Sequence, residues 1–224
     1  MTGPRMTGPR NSGRGASGVR LVLATHNQHK VAELRAILAP AVAGLAPEHV
    51  VGAADLGADP PYEDGVTFAQ NALLKARALA RLTGLPAVAD DSGLCVDVLG
   101  GAPGIFSARW SGRHGDDEAN LRLLLAQLAD VPDEHRGAGF TCAAALVTPD
   151  GFEHVETGVL RGRLVREPRG SGGFGYDPIL VPDEQPERAQ GLLTSAELTP
   201  AEKNAISHRG RAFRALAPVI AARL

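Results

Sequence analysis

The stretch "VRLVLATHN" (residues 19–27) runs directly into "QHKVAELRAILAP" (residues 28–40). The first half is apolar, contains β-branched residues and ends in polar ones, so it reads as a buried strand. The second half carries Val31, Leu34, Ile37 and Leu38 at helical spacing and is expected to stop at Pro40. Thr25-His26-Asn27 forms the junction. A strand that feeds a helix across a short polar turn is the opening move of an α/β fold.

The pattern continues along the chain. "VTFAQNALLKARALARLTG" (66–84) predicts a long helix, capped by Thr67 and ended by Gly84. "LPAVAD" (85–90) predicts a short buried strand that ends at the acidic pair Asp90-Asp91. "DDEANLRLLLAQLADV" (116–131) predicts a third helix, capped by Asp116. "GFTCAAALVTPDGFEHVETGVLRGRLV" (139–165) reads as two strands joined at the turn Pro149-Asp150-Gly151, hence an antiparallel portion. "PILVPD" (178–183) suits a further strand. Thr199, Pro200 and Glu202 make a capping box with Pro at the first helical position. Phe213, Leu216, Ala217, Ile220 and Leu224 give the final helix its apolar stripe. The expected fold class is α/β with a central mixed β-sheet flanked by helices, in one domain over residues 19–224.

Composition narrows the function. A chain of 224 residues with 44% hydrophobic content can bury a proper core, and a net charge of −2 gives no general field for nucleic acid. No apolar run approaches the roughly 18 residues of a membrane span. Cys95 and Cys142 lack metal-ligand or disulfide spacing, which fits a reducing compartment and a cytoplasmic setting. Residues 1–18, with the repeat MTGPR-MTGPR, have no apolar stretch of the signal-peptide kind and are expected to be disordered. Of the 23 basic residues only Lys30, Lys75 and Lys203 are lysines. In so Arg-biased a chain, each Lys stands by chance or because a compact charge on a flexible stem is wanted.

Five segments could carry chemistry. Thr25, Asn27 and Lys30 stand where a strand gives way to a helix, a place that suits phosphate, although the P-loop spacing is absent. An ordinary cap with a solvated Lys is the alternative. Glu63 and Asp64 precede a helix start, where acids are common in any case. Asp90, Asp91 and Ser92 in "AVADDSGLCVDVLGG" (87–101) set two carboxylates side by side, which asks for a cation, a ligand or open water. Mg²⁺ takes one or two carboxylates together with water and phosphate, and a simple turn would also place acids there. In a regular strand only one of the two could face a given site. Phe174 and Tyr176 stand among glycines in "GSGGFGYDP" (170–178), which suits backbone approach and stacking on a base, or just a packed turn. Lys203, His208 and Arg209 in "EKNAISHRG" (202–210) cluster donors at a helix boundary, for phosphate, a base carbonyl or solvent.

In this order, "LATHNQHKVAEL", "EDGVTFAQNALLKA", "ADDSGLCVDVLGGAPGIFSARW", "GGFGYDPI" and "EKNAISHRG" resemble the inosine triphosphate pyrophosphatase family, the dITP/XTP pyrophosphatases. The resemblance runs from about Leu21 to Phe213. It implies an elongated α/β fold with two lobes around an active-site cleft, a homodimer, and Mg²⁺-dependent hydrolysis of dITP, ITP and XTP to the monophosphate and pyrophosphate. Glu63 and Asp91 would hold Mg²⁺, with Asp90 in support, and Asp91 would be the general base. Thr25, His26, Asn27, Gln28, His29, Lys30, Ser92 and Lys203 would hold phosphate or sugar oxygens. Phe174 would stack on the base, Gly175, Tyr176 and Asp177 would shape its pocket, and His208 and Arg209 would donate to the 6-keto oxygen. Two positions depart from the family. Gln70 stands where Glu is common, and His26 where a small residue is. Competing readings are a pyrophosphatase for other damaged nucleotides and a non-catalytic nucleotide-binding module.

Overall fold

The computed structural model describes residues 18–224; the disorder expected of the N-terminal extension lies, but for Gly18, outside the described residues. Six strands form one sheet in the order β2-β1-β3-β4-β5-β6. They are β1 Leu21–Leu23, β2 Val50–Gly52, β3 Ala87–Val96, β4 Gly137–Val147, β5 Glu153–Leu164 and β6 Leu180–Pro182. β1 runs parallel to both β2 and β3, while β3, β4, β5 and β6 pair antiparallel, so the sheet is mixed as expected. Among the described residues five α-helices flank it: α1 Gln28–Ala41, α2 Phe68–Thr83, α3 Asp117–Gln127, α4 Pro200–Ile206 and α5 His208–Ala221. Among the described residues no helix is long and apolar enough to cross a membrane.

The local signals explain most boundaries. Thr67 accepts a hydrogen bond from Gln70 N and Gly84 closes α2 in the left-handed conformation. Asp116 caps α3, and Thr199 with Glu202 closes a capping box on α4. Two expectations are corrected. The first helix does not stop at Pro40 but runs to Ala41, because a proline in the last turn removes only one backbone donor. The strand opened by "LPAVAD" does not end at the acid pair. β3 continues through Val96, and each of its residues pairs with β4.

The reason lies in what each edge of β3 meets. β1 is short and reaches only Val88, whereas β4 accompanies β3 for its full length. Beyond Val88 one edge of β3 is released from its parallel neighbour while the strand itself stays extended. Apolar residues fill both faces before the acids. Leu21, Leu23, Val88, Cys142 and Ala144 pack against α1 and α5, while Val22, Ala87, Ala89, Ala143 and Ala145 pack against α2. After the acids a separate core gathers Leu94, Val96, Leu124, Phe140, Leu160 and Ile179. Asp90, Asp91 and Ser92 are thus a polar band between two apolar ends of one strand.

Candidate active site

Alternation along β3 sends the two acids to opposite faces. Asp90 follows Val88 onto the α1/α5 face and is buried. Its Oδ2 accepts from Lys30 Nζ at 3.3 Å, Ser92 Oγ at 3.1 Å and Arg209 Nε at 3.1 Å. Burial alone pushes this carboxyl up, but Lys30, Arg209 and Lys75 outweigh it and hold it far below the usual carboxylate range. Arg209 also reaches Glu33 Oε2, at 3.3 Å through Nη1. A cation so near the start of α5 opposes the helix dipole, and the two carboxylates offset that cost. Burial pulls the guanidinium down, yet Asp90 and Glu33 raise it overall.

Asp91 follows Ala89 onto the α2 face. Asn71 Nδ2 donates to its Oδ2 at 3.0 Å, and Lys75 Nζ lies 3.5 Å from its Oδ1. The same ammonium is 3.2 Å from Glu63 Oε1. Burial raises the Asp91 carboxyl; Lys75 and Asn71 pull it down, Glu63 and Asp90 add to the rise, and the net direction is upward. The adjacent acids therefore differ in direction: Asp90 is held far below the ordinary carboxylate value, and burial lifts Asp91 above it.

Thr25, His26, Lys30, Glu63, Lys75 and Asp90 line one cavity of about 200 Å³ at the released edge of β3. Thr25 Oγ1 accepts from Asn27 N, and Asn27 Oδ1 accepts from Lys30 N, so these two shape the first turn of α1. Gln28 is exposed at the helix start, and the side chain of His29 lies outside the described residues. His26 turns toward the loop before α2, its Nε2 2.6 Å from the Ala58 carbonyl. Gln70 Oε1 accepts from Val66 N as a helix cap, which removes it from the acid cluster.

The Gly-rich loop forms a second cluster. Asp177 is buried and accepts from Phe174 N at 2.8 Å and from Lys203 Nζ at 2.6 Å. Phe174 is 59% exposed, with the Lys203 ammonium 5.1 Å from its ring centroid. Gly175 N donates to Asp117 on α3. Tyr176 packs in the far core and its hydroxyl donates to the Ser107 carbonyl, so it braces the loop from below. His208 is buried and stacks on Phe140 at 5.0 Å between centroids, with no hydrogen-bond partner on Nδ1. Burial and the neighbouring Arg209 keep its pKa well below the ordinary histidine value. Asp91, Ser92, Phe174, Lys203, His208 and Arg209 do not line the cavity; Asp91 reaches it through Lys75, and Ser207, the cap between α4 and α5, and the Arg209–Asp90 bond connect the two clusters.

Every lysine in the sequence ends on a carboxylate of these clusters: Lys30 on Asp90, Lys75 on Glu63 and Asp91, Lys203 on Asp177. The scarcity of lysine is thus a usable signal. It points to Lys75, to which the motifs by themselves assign no role. Asn71, Glu33, Asp117 and Phe140 escape sequence reasoning, because apolar or charged helix and strand positions announce nothing locally.

Among the described residues no group of three or more His, Cys, Asp or Glu side chains could by itself hold a metal ion. Glu63 and Asp91 offer two hard oxygen donors around one cation, the Lys75 ammonium.

Comparison with known proteins places nearly the whole chain beside a single family. The sequence profile of the Ham1 family matches residues 21–219. A Streptomyces coelicolor protein named dITP/XTP pyrophosphatase is 66% identical over 202 residues, covering 90% of this chain and 96% of that one. A protein of the same name from Nocardia farcinica is 56% identical, covering 91% of this chain and 95% of its own. Among solved structures, a HAM1 protein from Coxiella burnetii superposes with a TM-score of 0.78 at 38% identity, covering 91% of this chain and 99% of that one. A nucleoside-triphosphatase / dITP/XTP pyrophosphatase from Mycobacterium abscessus gives 0.69 at 52% identity, over 89% and 100%. A family profile matched over residues 21–219 and relatives matched over nearly their whole length lead to one statement: the chain belongs to the Ham1 family.

Proposed function

We propose that this protein hydrolyses the non-standard purine nucleoside triphosphates dITP, ITP and XTP to the monophosphate and pyrophosphate, with Mg²⁺ as cofactor. The relatives' names support the pyrophosphatase reading, and the observation that carries it is the convergence of Glu63 and Asp91 on one cation beside a cavity lined by Lys30. Lys30, Lys75 and Arg209 face four carboxylates there, Glu33, Glu63, Asp90 and Asp91. A triphosphate carrying about four negative charges would be repelled by so acidic a site unless a further cation came with it.

The donor set fits Mg²⁺, which uses one or two carboxylates and fills its shell with water and substrate phosphate. Glu63 and Asp91 would hold it. When bound, Mg²⁺ supplies positive charge to the phosphate oxygens and anchors the polyphosphate. The chain does the rest. Asp91 accepts a proton from the water that attacks the α-phosphorus, the bond from that phosphorus to the bridging oxygen breaks, and pyrophosphate leaves. Asn71 fixes the orientation of Asp91 by holding one of its oxygens. Lys30, anchored on Asp90, turns a positive charge toward the cavity. Positioning and electrostatics account for most of the acceleration in such transfers.

At the other end Phe174 offers an open ring for purine stacking. Neutral His208 and the Nη2 of Arg209, which takes no part in the bonds to Asp90 and Glu33, would donate to the 6-keto oxygen. Adenine presents an amino group there, and sites of this kind reject a mismatched analogue by about 10⁴-fold. The homodimer implied by the resemblance belongs to the same proposal, and sedimentation tests it. The decisive experiment measures pyrophosphate release with Mg²⁺ from ITP, XTP, ATP and GTP. ITP and XTP should be turned over far faster than ATP; equal rates on ITP and ATP would overturn the specificity.

A further inference from the structure

Lys75 stands where the two candidate metal ligands converge. Its Nζ is 3.2 Å from Glu63 Oε1 and 3.5 Å from Asp91 Oδ1, and the side chain is only 13% exposed. Asn71 already holds the other oxygen of Asp91, so the Lys75 ammonium sits on the one that is left. Lys30 cannot substitute, because its ammonium is engaged by Asp90 on the far side of the strand. A divalent ion bound by both carboxylates lies about 2 Å from each, and hence within a few ångströms of this ammonium. Like charges that close repel each other, even at a partly exposed site. The two cations therefore compete for the pair.

Resting on the reading above, we propose that Lys75 is a positioning residue that occupies the Glu63–Asp91 pair as an internal counter-ion in the free protein. It leaves both carboxylates only when a divalent cation arrives together with nucleotide phosphate. Lysine chemistry suits this exchange, because the charge is compact and the four-carbon stem lets the ammonium swing, which the planar fork of arginine does less readily. Metal alone would strip Lys75 of both partners and leave a poorly solvated ammonium beside a dication. Metal with a polyphosphate gives the released ammonium a new anion, and Lys75 also lines the cavity where that anion would lie. Cation and nucleotide then bind cooperatively, each helping the other by the same factor. The free protein is kept from spending its acids on stray cations.

The test is Mn²⁺ binding to the nucleotide-free protein, followed by electron paramagnetic resonance of the unbound ion. Lys75→Met and Lys75→Gln should bind Mn²⁺ at least about tenfold more tightly than the wild type, since a nearby repelling charge is gone. Lys75→Arg, which keeps the charge on a less mobile fork, should bind Mn²⁺ no more tightly than wild type. Circular dichroism checks the fold, and the glutamine variant, which can still donate to the acids, serves if the methionine variant does not fold. Glu63→Gln made in the Lys75→Gln background should abolish the gain. Neutral variants that bind Mn²⁺ no more tightly, in a protein whose Mn²⁺ binding still depends on Glu63, overturn the inference alone. Mn²⁺ binding that ignores Glu63→Gln overturns the metal assignment and the inference with it.

Discussion

Asp90 and Asp91 are consecutive in the chain, yet their carboxylates stand on opposite faces of the sheet, one held by Lys30 and Arg209 and the other by Asn71 and Lys75. Their replacement should therefore fail in different ways. Asp91→Asn keeps size and packing and removes the proposed proton acceptor, so turnover should fall by about 10²–10⁴ while stability changes little. Asp90→Asn breaks a buried ion pair and leaves Arg209 undercompensated, which should cost about 3–5 kcal/mol of stability. Pyrophosphate release and urea denaturation of both variants check this, and equal loss of stability in the two would contradict the division.

His208 gives the pH dependence of stability. It is faced by Arg209 on its own helix, Lys203 on α4, Lys30 on α1 and Asp90 on β3, and it stacks on Phe140 of β4. Burial first, and then Arg209, depress its pKa below the unfolded value. The unfolded chain thus binds a proton more readily. Stability from this group is fully present above about pH 6.5 and is lost as pH falls below it, by up to about 1.4 kcal/mol per unit. Urea denaturation between pH 5 and pH 8 should show this slope, and His208→Phe, which keeps a ring on Phe140, should flatten it. An unchanged slope in that variant would assign the dependence to other groups.

Gly158 of β5 lies under the first turn of α5. A Cβ there would come 2.1 Å from the His208 carbonyl oxygen and 2.6 Å from Ala212 N, both backbone atoms that cannot swing aside. Gly158→Ala should lift α5, cost about 1–3 kcal/mol and disturb His208 and Arg209 together. A thermal melt with KM measured for ITP tests it: both should worsen. A variant that melts normally with unchanged KM would show that α5 tolerates the shift.

His26 joins the turn before α1 to the loop that carries Glu63. Its bond to the Ala58 carbonyl is worth a net 0.5–1.5 kcal/mol on the usual scale, roughly a two- to tenfold effect. His26→Gly should raise KM for nucleotide by about that factor with kcat within about threefold, and His26→Gln, which keeps a donor, should recover much of it. A fall in kcat at constant KM would place His26 in the chemistry instead.

Much of this is legible from local rules. The caps at Thr67, Asp116 and Thr199, the Gly84 stop and the Pro149-Asp150-Gly151 turn between β4 and β5 stand where the sequence puts them, because each depends on a few adjacent residues. The end of β3 does not. Asp-Asp-Ser-Gly looks like a turn by composition, and only the full-length pairing with β4 keeps it extended.

By itself the sequence determined the element order and the apolar faces, since periodicity and capping are written in neighbouring side chains. It also marked the sites of charge through the rarity of lysine. Only the tertiary structure decided which acid meets which cation. Lys30 and Asp90 are 60 residues apart, and Arg209 and Asp90 are 119 apart. Strand alternation splits two adjacent carboxylates between two faces, and it takes helices packed on each face to give one Lys30 and Arg209 as partners and the other Asn71 and Lys75.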